Sequence, residues 1–216
     1  MALAQLRRQQ IEDTLNRILA VTRALIAEGG WAAAQISVIA DRAGLATGSI
    51  YRYFDSKVDL CVQVLAQVSK REAEVAAAII DSPGSAGGDA ASRLHDVVAT
   101  FVRRAARQPR LAYALIAEPC EPALDEARLH YRDGLARQIA RLLEEGRNSG
   151  AFVDAPADIL STCIAGAMME PLIRPLARAG RPSKAEIDAL AEQVATACVR
   201  MVRTPSPRLR PTRKSQ

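Results

Sequence analysis

The chain has 216 residues, a formal net charge of +5 and few aromatic side chains. Its length predicts one large or two small domains with a sizeable core. The sequence contains no visible internal repeat of the kind that forms a solenoid. The first residues lack a signal-peptide core, and no run of about 18 uncharged apolar residues occurs. We therefore expect a soluble, cytoplasmic protein that does not insert into membranes.

The excess positive charge is concentrated at the C-terminus. Six basic residues and no acidic residue lie from Arg200 onward, whereas the rest of the chain carries 23 basic and 24 acidic residues. Residues 204–216 are rich in proline and polar residues, cannot bury a core, and are predicted to form a disordered basic tail. This tail is either a solvated segment or a source of non-specific attraction to phosphate. Net charge is therefore no evidence that the folded part binds nucleic acid.

The sequence indicates neither a metal site nor a catalytic site. Its four cysteines are widely separated and form no CxxC pair, so we expect free thiols and no zinc. His95 and His130 have no partner in a known catalytic or metal motif, and no phosphate-binding loop or serine elbow occurs. The charges of Glu118 and Glu121 disfavour a thiolate at Cys120, and hence a redox switch. We expect a protein that is not an enzyme and carries no cofactor.

A long amphipathic helix is predicted near the N-terminus. Apolar residues recur at three- and four-residue steps from Ile11 to Ile26, and Gly29-Gly30 ends the pattern. Arg7 and Arg8 come just before this stripe. Trp31, the only tryptophan, follows the helix, and we interpret it as a core residue of a small N-terminal domain rather than a ligand contact.

The segment from Ile36 to Lys57 has the pattern of a helix, a sharp turn and a second short helix. Ile39 belongs to the first apolar face, Gly44 interrupts it, and Ile50 and Phe54 begin a new one. This arrangement is typical of a helix-turn-helix, which places its second helix in the DNA major groove.

The second helix of this motif is predicted to run from about Thr47 to Phe54. Ile50 and Phe54 would pack inward. Tyr51 and Tyr53 could instead join Phe54 in an ordinary aromatic core, but two tyrosine hydroxyls are costly to bury without partners. The residues left to face a groove are Thr47, Gly48, Tyr51 and Arg52.

The same segment resembles the DNA-binding signature of the TetR family of bacterial transcriptional regulators. The resemblance is carried by Ile39-Ala40, Ala43-Gly44-Leu45, Gly48-Ser49-Ile50-Tyr51-Arg52-Tyr53-Phe54 and Ser56-Lys57. It implies that Thr47, Gly48 and Tyr51 face bases, that Ser37, Ser49, Tyr53 and Lys57 face the DNA backbone, and that Arg52 lies between these roles. It also implies an all-α fold, with a three-helix DNA-binding domain at 1–57 and a helical ligand-binding and dimerisation domain at 58–203.

Two positions depart from the family pattern. Gln35 stands where a Thr or Ser usually caps the first motif helix, and Ala46-Thr47 stands where a Ser-Lys pair usually opens the recognition helix. Neither Gln nor Ala is a good N-cap, so we expect these caps to be shifted or absent. Without that Lys, the operator need not resemble those of relatives. Ser56 and Asp59, by contrast, predict a capped start for the next helix.

The remaining chain predicts helices separated by breakers. Gly146 should end one of them, and Pro171 and Pro175 should kink or break another. The predicted helices are Val58–Ile80, one through Leu94–Ala105 that Pro109 limits, Leu111–Ala117, Leu124–Glu145, Ala157–Met169 and Ala185–Val202, with a loop at 81–88.

The resemblance further implies a homodimer, a palindromic operator in double-stranded DNA and a small-molecule effector. The final two long helices would form a four-helix bundle with those of a second subunit, although packing within one chain could also use their apolar faces. Candidate residues of an effector pocket are His95, Phe101, Tyr113, Tyr131, Met168, Met169, Glu170 and Arg174. Phe101, Met168 and Met169 could equally be core residues, and Glu170 with Arg174 could be a surface ion pair.

The sequence therefore predicts a ligand-responsive transcriptional repressor. Two alternatives remain open: a non-specific architectural DNA-binding protein that uses the basic tail, and a helical ligand-binding or enzyme domain without specific DNA function.

Overall fold

The computed structural model describes residues 1–82, 89–178, 180 and 182–203, and this part of the chain is almost entirely helical. The all-α prediction is confirmed. The only pairing between extended segments in these ranges is a single bridge between Phe152 and Arg203. The helices are α1 (Ala2–Gly29), a 3-10 turn (Trp31–Ala33), α2 (Ile36–Arg42), α3 (Thr47–Ile50), α4 (Lys57–Ile80), α5 (Ala90–Arg107), α6 (Pro109–Ile116), α7 (Pro122–Asn148), α8 (Ala157–Ala177) and α9 (Lys184–Val202).

The buried apolar residues form two cores. The smaller core joins α1, α2 and α3 to the first turns of α4 and also includes α6, through residues such as Ile26, Ile50 and Leu111. The larger core is built by the end of α4 and by α5, α7, α8 and α9. Helix α4 therefore contributes to both cores, as a long helix continuing from the motif is predicted to do. The domain boundary after residue 57 stays a prediction.

Several helix ends follow the local chemistry of the sequence. The first helix ends where Gly30 adopts a φ of 71°, a conformation that glycine tolerates without steric cost. The Ser56 hydroxyl accepts the Asp59 backbone N–H at 3.0 Å and caps α4 as predicted. Helix α9 begins with a reciprocal capping box between Ser183 and Glu186. The expected weak caps are also confirmed, because neither Gln35 nor Ala46 caps its helix with a side chain.

The prediction that Gly146 ends a helix is wrong. Helix α7 continues to Asn148, and Gly150, with a φ of 75°, takes the left-handed conformation after it. Gly146 is instead a packing residue, because a Cβ placed there would lie 2.0 Å from Cδ2 of Phe152. The aromatic ring requires a residue without a side chain at that position.

Of the two outcomes predicted for Pro171 and Pro175, a kink or a break, the break does not occur, since α8 runs on to Ala177. The two prolines are four residues apart and therefore lie on one face. Each removes one backbone N–H donor, so the unpaired carbonyls are confined to that face. Pro171 is exposed and Pro175 half-buried, which keeps the defect out of the deep core.

Three smaller expectations also change. The second motif helix is shorter than predicted, because α3 ends at Ile50 and a turn continues to Tyr53. Ile11, placed in the apolar stripe of α1, is 54% exposed, since the start of α1 extends beyond the smaller core. The predicted loop at 81–88 lies largely outside the described residues, and the predicted tail at 204–216 lies wholly outside them.

Helix α8 is the one helix in the described residues that is long and apolar enough to cross a membrane. Length and composition alone are weak evidence, because the central helix of a soluble protein meets the same test. Ile164, Met168 and Leu172 of α8 are buried in the larger core. Helix α8 is therefore accounted for as a core helix.

Candidate functional site

The recognition helix is held against the smaller core by two apolar side chains. Ile50 is fully buried, and Phe54 is 2% exposed. In the preceding turn, Gly44 has a φ of 65°, and the backbone N–H of Leu45 donates to the Ala40 carbonyl at 2.9 Å. This turn and the two apolar contacts fix the direction in which α3 leaves α2.

The opposite side of α3 faces solvent. Tyr51 is 56% exposed, an unusual exposure for a large aromatic residue beside a buried core. The eight residues expected to contact DNA all lie between the start of α2 and the start of α4. Five are exposed, namely Ser37, Thr47, Gly48, Tyr51 and Arg52, and three are half-buried, namely Ser49, Tyr53 and Lys57.

An open cleft lies between the exposed part of α1 and the end of α3. Arg7, Arg17, Arg52 and Tyr53 line it, together with the polar residues Gln10, Asp13 and Thr14 and the apolar Ile11. Neither Arg17 nor Arg52 makes an ion pair with any residue in the described ranges. The cleft therefore presents several unpaired guanidinium groups beside the recognition helix.

Arg17 was not among the residues predicted to contact DNA, and of Arg7 and Arg8, which precede the apolar stripe of α1, only Arg7 lines this cleft. The sequence feature that could have identified Arg17 is a polar stripe along α1. Positions 7, 10, 14 and 17 follow three- and four-residue steps, which places them on one helix face.

The junction between α3 and α4 is fixed by reciprocal bonds. The Asp59 backbone N–H donates to the Ser56 hydroxyl, and the Asp55 backbone N–H donates to the Asp59 carboxylate at 3.2 Å. Lys57 lies in the first turn of α4, where its charge meets the positive end of the helix dipole. A phosphate at this position would relieve that repulsion.

A small cavity lies where α1, α4, α5, α6 and α7 meet. Its volume is about 90 Å³, well below the roughly 300–1,000 Å³ of pockets that hold drug-sized ligands. Of the eight predicted pocket residues, Phe101 and Tyr131 line it. The full lining is Arg23, Leu65, Val68, Ser69, Glu72, Phe101, Ala105, Gln108, Leu111, Ala112, Leu115, Ile116 and Tyr131.

The other pocket candidates lie elsewhere. Met168 and Met169 are buried in the larger core, with Met168 on a separate small void. The Arg110 guanidinium lies over the Tyr113 ring, with Cζ of Arg110 5.6 Å from the centre of that ring. Glu170 is exposed on α8 and lines neither space.

The two remaining candidates from the pocket hypothesis lie at the surface. Arg174 is exposed on α8, and no ion pair joins it to Glu170 in the described residues. His95 is directed to Glu192, with Nε2 3.1 Å from the carboxylate. Neither side chain lines the cavity.

Glu72, one of the polar lining residues, belongs to an ion pair that joins α4 to α5. The Arg104 Nε and Nη2 groups each donate to a different oxygen of Glu72 at 2.7 Å. Tyr131 lies beside this pair, and burial, with a further contribution from the Glu72 charge, raises the pKa of its hydroxyl. Tyr131 therefore stays protonated and can donate a hydrogen bond.

Helix α6 forms one wall of the cavity and also contacts the end of α1. The indole Nε1 of Trp31 donates to the Ala114 carbonyl at 3.1 Å, and Arg110 donates to the Gly29 carbonyl at 3.1 Å. A side chain at Gly30 would overlap Arg110. Trp31 is thus a core residue, as expected, and it ties α6 to the N-terminal helices.

The C-terminal end of α6 is capped by arginines from α7. Arg128, only 8% exposed, donates to the carbonyls of Ala114 and Leu115 at 3.2 and 3.1 Å, and Arg132 donates to that of Ile116 at 3.0 Å. These bonds satisfy carbonyls that a helix end leaves unpaired. Sequence reasoning missed both arginines, because nothing in the local sequence connects them with α6.

The cysteines are free thiols. Burial raises the pKa of Cys120, and the Arg128 guanidinium, 3.2 Å from its sulfur, only partly opposes this. The expected direction of the Cys120 pKa shift, upward, is therefore right, although burial contributes more to it than the neighbouring carboxylates do. No cluster of three or more His, Cys, Asp or Glu side chains that could hold a metal occurs in the described residues.

Comparison with known proteins gives two family matches. The family described as "Bacterial regulatory proteins, tetR family" matches residues 18–64, and "Tetracyclin repressor-like, C-terminal domain" matches residues 87–202. The HTH-type transcriptional repressor KstR of Mycolicibacterium smegmatis is 40% identical over 100 residues, which cover 46% of this chain and 47% of KstR. The chain thus aligns with about half the length of that curated relative.

Solved structures share the fold. The fatty acid degradation regulator FadR from Bacillus halodurans has a TM-score of 0.73 at 23% identity, over 86% of this chain and 94% of that one. FadR from Bacillus subtilis, in complex with stearoyl-CoA, has a TM-score of 0.67 at 24% identity, over 85% of this chain and 96% of that one.

Proposed function

Because the chain belongs to the tetR family of bacterial regulatory proteins, we propose that it is a cytoplasmic transcriptional repressor that binds a palindromic operator as a homodimer. A small-molecule effector releases it. The observation that carries the proposal is the exposed polar face of α3, with Tyr51 directed outward while Ile50 and Phe54 are buried beneath it.

In this proposal the exposed residues divide between bases and phosphates. Thr47, Gly48 and Tyr51 meet base edges, which specify sequence, while Ser37, Ser49, Tyr53 and Lys57 meet the backbone, which sets the register. Arg52 lies beside Arg7 and Arg17 in the cleft, and this shared location favours a phosphate contact for Arg52. The same cleft extends the proposed contact surface onto α1.

The homodimer is supported by the outward faces of α8 and α9. Ile159 is 61% exposed and Met201 is 41% exposed, so both helices present apolar groups to solvent in the single chain. Gly166 of α8 has no atom within 4 Å of the position of a Cβ, which leaves room for a second helix to approach closely. A two-fold arrangement of this kind requires a palindromic site.

Effector release is supported by the contacts of α6. Leu111 and Leu115 line the cavity, and the same helix accepts the Trp31 indole bond. Filling the cavity would displace α6, and Trp31 would transmit the displacement to the N-terminal helices. Coupling of this kind requires an element whose position both sites bias, and α6 contacts both.

The experiment that tests the proposal is selection of bound duplexes from a random DNA pool by the full chain. Enrichment of a palindrome, followed by its release in the presence of some members of a ligand panel, is the expected result. A steep salt dependence without any preferred sequence, lost when the chain is cut after Thr204, would instead identify an architectural protein. Absence of DNA binding would identify a ligand-binding domain alone. Membership of a regulatory family favours neither alternative.

A further inference from the structure

The cavity beside α6 has a small neighbour. A void of about 10 Å³ is lined mainly by apolar side chains, including Val97, Leu135 and Met168, and it shares Glu72 and Phe101 with the larger cavity. The half-buried ring of Phe101 and the Glu72–Arg104 ion pair therefore lie between the two spaces. Rotation of one aromatic side chain would connect them into a single narrow channel.

The charges around the two spaces do not balance. Glu72 is neutralised by two bonds from Arg104. Arg23, an exposed residue of α1, also lines the larger cavity, and no ion pair or side-chain hydrogen bond joins it to another residue in the described ranges. The solvent-exposed side of the cavity therefore carries one positive charge without an ion-pair partner, which favours a ligand whose single negative charge lies at that end.

A second polar group also lacks a partner. The Tyr131 hydroxyl, whose pKa is raised by burial, makes no hydrogen bond within the described part of the chain. Tyr131 lines the same cavity as Arg23. The hydroxyl is therefore free to donate a hydrogen bond to an oxygen of a ligand in the cavity.

We propose that the two spaces form one binding site for a slender organic monoanion, an apolar tail ending in a carboxylate. The carboxylate meets Arg23, an oxygen of the ligand accepts a bond from Tyr131, and the tail moves Phe101 aside to reach Met168. The small volumes exclude a broad ligand, and Met168 has the flexible side chain that adapts to an entering chain. This proposal rests on the proposed function for its role, since it names the class of effector.

The position of Arg23 gives the ligand a direct effect on the N-terminal helices. Arg23 belongs to α1, whose buried residues form the smaller core that also holds α3, whereas Phe101 and Tyr131 belong to the larger body. A carboxylate bound to Arg23 therefore connects α1 to α5 and α7. Binding would bias the orientation of the recognition helix from two sides, through α6 and through α1.

Isothermal titration calorimetry of the full chain without DNA tests the head group. The probes are butanoate, hexanoate, octanoate and decanoate, with octan-1-ol as the uncharged match. We expect octanoate to bind, Arg23→Gln to weaken it about tenfold, and octan-1-ol to bind both proteins equally. Arg137→Gln, which removes an exposed arginine that does not line either space, should leave both ligands unaffected.

The same titrations test the tail. Each added methylene should strengthen binding by about fourfold while it is buried. The ratio of decanoate affinity to hexanoate affinity should be larger for Phe101→Ala than for the parent protein, because the substitution removes the ring that separates the two spaces. Thermal unfolding of each variant confirms that it is folded.

Three results would overturn the proposal: no saturable carboxylate binding, equal octanoate affinity in the parent and Arg23→Gln, or the same dependence on chain length with and without the Phe101 ring. Gel shifts on the selected operator are measured separately. Operator binding without carboxylate binding refutes this inference alone, whereas Arg23-dependent carboxylate binding without operator binding supports the site and refutes the proposed repressor.

Discussion

The proposed DNA-facing surface and the proposed effector cavity are built in opposite ways. The surface comes from about 20 consecutive residues, is open, and has Tyr51 and Arg52 already exposed. The cavity draws on five helices, has a volume of about 90 Å³ and includes Glu72, which is paired with Arg104, in its lining. A rigid partner such as duplex DNA suits a preformed surface, while a small ligand that must change the protein suits a space that opens only when it binds.

The largest expected effect is on the support of the DNA-facing surface. Phe54→Ala should lower the free energy of unfolding by about 3 to 5 kcal/mol, because it empties a fully packed position in the smaller core. Denaturant unfolding followed by Trp31 fluorescence would measure it, since Trp31 lies in the same core. A loss below about 1 kcal/mol would mean that α3 does not depend on this anchor.

The next effect concerns the wall of the cavity. Arg104→Gln leaves Glu72 charged and without its partner, and we expect a loss of about 2 kcal/mol in unfolding free energy. This is less than the roughly 3 to 5 kcal/mol of a fully buried pair, because the two side chains are 25% and 20% exposed. Arg71→Gln, which removes a surface pair with Glu74, is the control and should change stability by under about 1 kcal/mol.

The division of roles on the DNA-facing surface should appear in binding, with stability unchanged. Tyr51→Ala is expected to cost about 1 to 3 kcal/mol on the operator and little on scrambled DNA, while Lys57→Ala should weaken both and reduce the salt slope by about one. Gel shifts on the two duplexes at several salt concentrations give these values. Equal losses on both duplexes for both variants would contradict the division.

The proposed dimer can be tested without disturbing the fold of the single chain. Gly166→Glu places a charge on the outward face of α8, in space that is empty in the monomer, so we expect the dimer to dissociate at least about tenfold more readily while the helices remain folded. Gly134→Glu on α7, where only the tip of Arg137 is near at 3.8 Å, is the matched control. Analytical ultracentrifugation in which Gly166→Glu remains a full dimer would exclude α8 from the interface.

The smallest effect is at the start of α9. Ser183→Ala should cost about 1 kcal/mol by removing a helix cap. Bonds from the Ser183 hydroxyl and backbone lower the pKa of Glu186 below its ordinary 4.5. The stabilisation from these bonds is therefore complete above pH 4.5, and it is lost as the pH falls through the lowered pKa of Glu186. Thermal unfolding at pH 7 and pH 3 should show a smaller gap between Ser183→Ala and the parent protein at pH 3.

The sequence was informative wherever the determinants are local. The helix-turn-helix could be predicted because Gly44, Ile50 and Phe54 lie within a few residues of one another, and the Ser56 cap because its partner Asp59 is three residues away. The end of α7 could not be predicted, since the glycine that looks like a terminator is required by the Phe152 ring that packs on it.

The cavity shows the same limit more strongly. Phe101 and Tyr131 were among the candidates because they are aromatic residues on middle helices, and so was Glu170, which lies on an exposed face. Phe101 and Tyr131 line the cavity and Glu170 does not because of the way several helices pack together. The spacing of residues along a single sequence does not show this packing. Arg23 was not a candidate, because it is an exposed residue of α1, and only the placement of α4 and α5 beside it shows that it lines the cavity.

The most direct test of the central claim is a titration of the full chain against the selected palindrome and against the same duplex with one half-site scrambled. We expect two chains on the intact duplex, bound at least about a thousandfold more tightly than to non-specific DNA, and a large loss of affinity when one half-site is scrambled. Equal affinity for the intact and scrambled duplexes would contradict it.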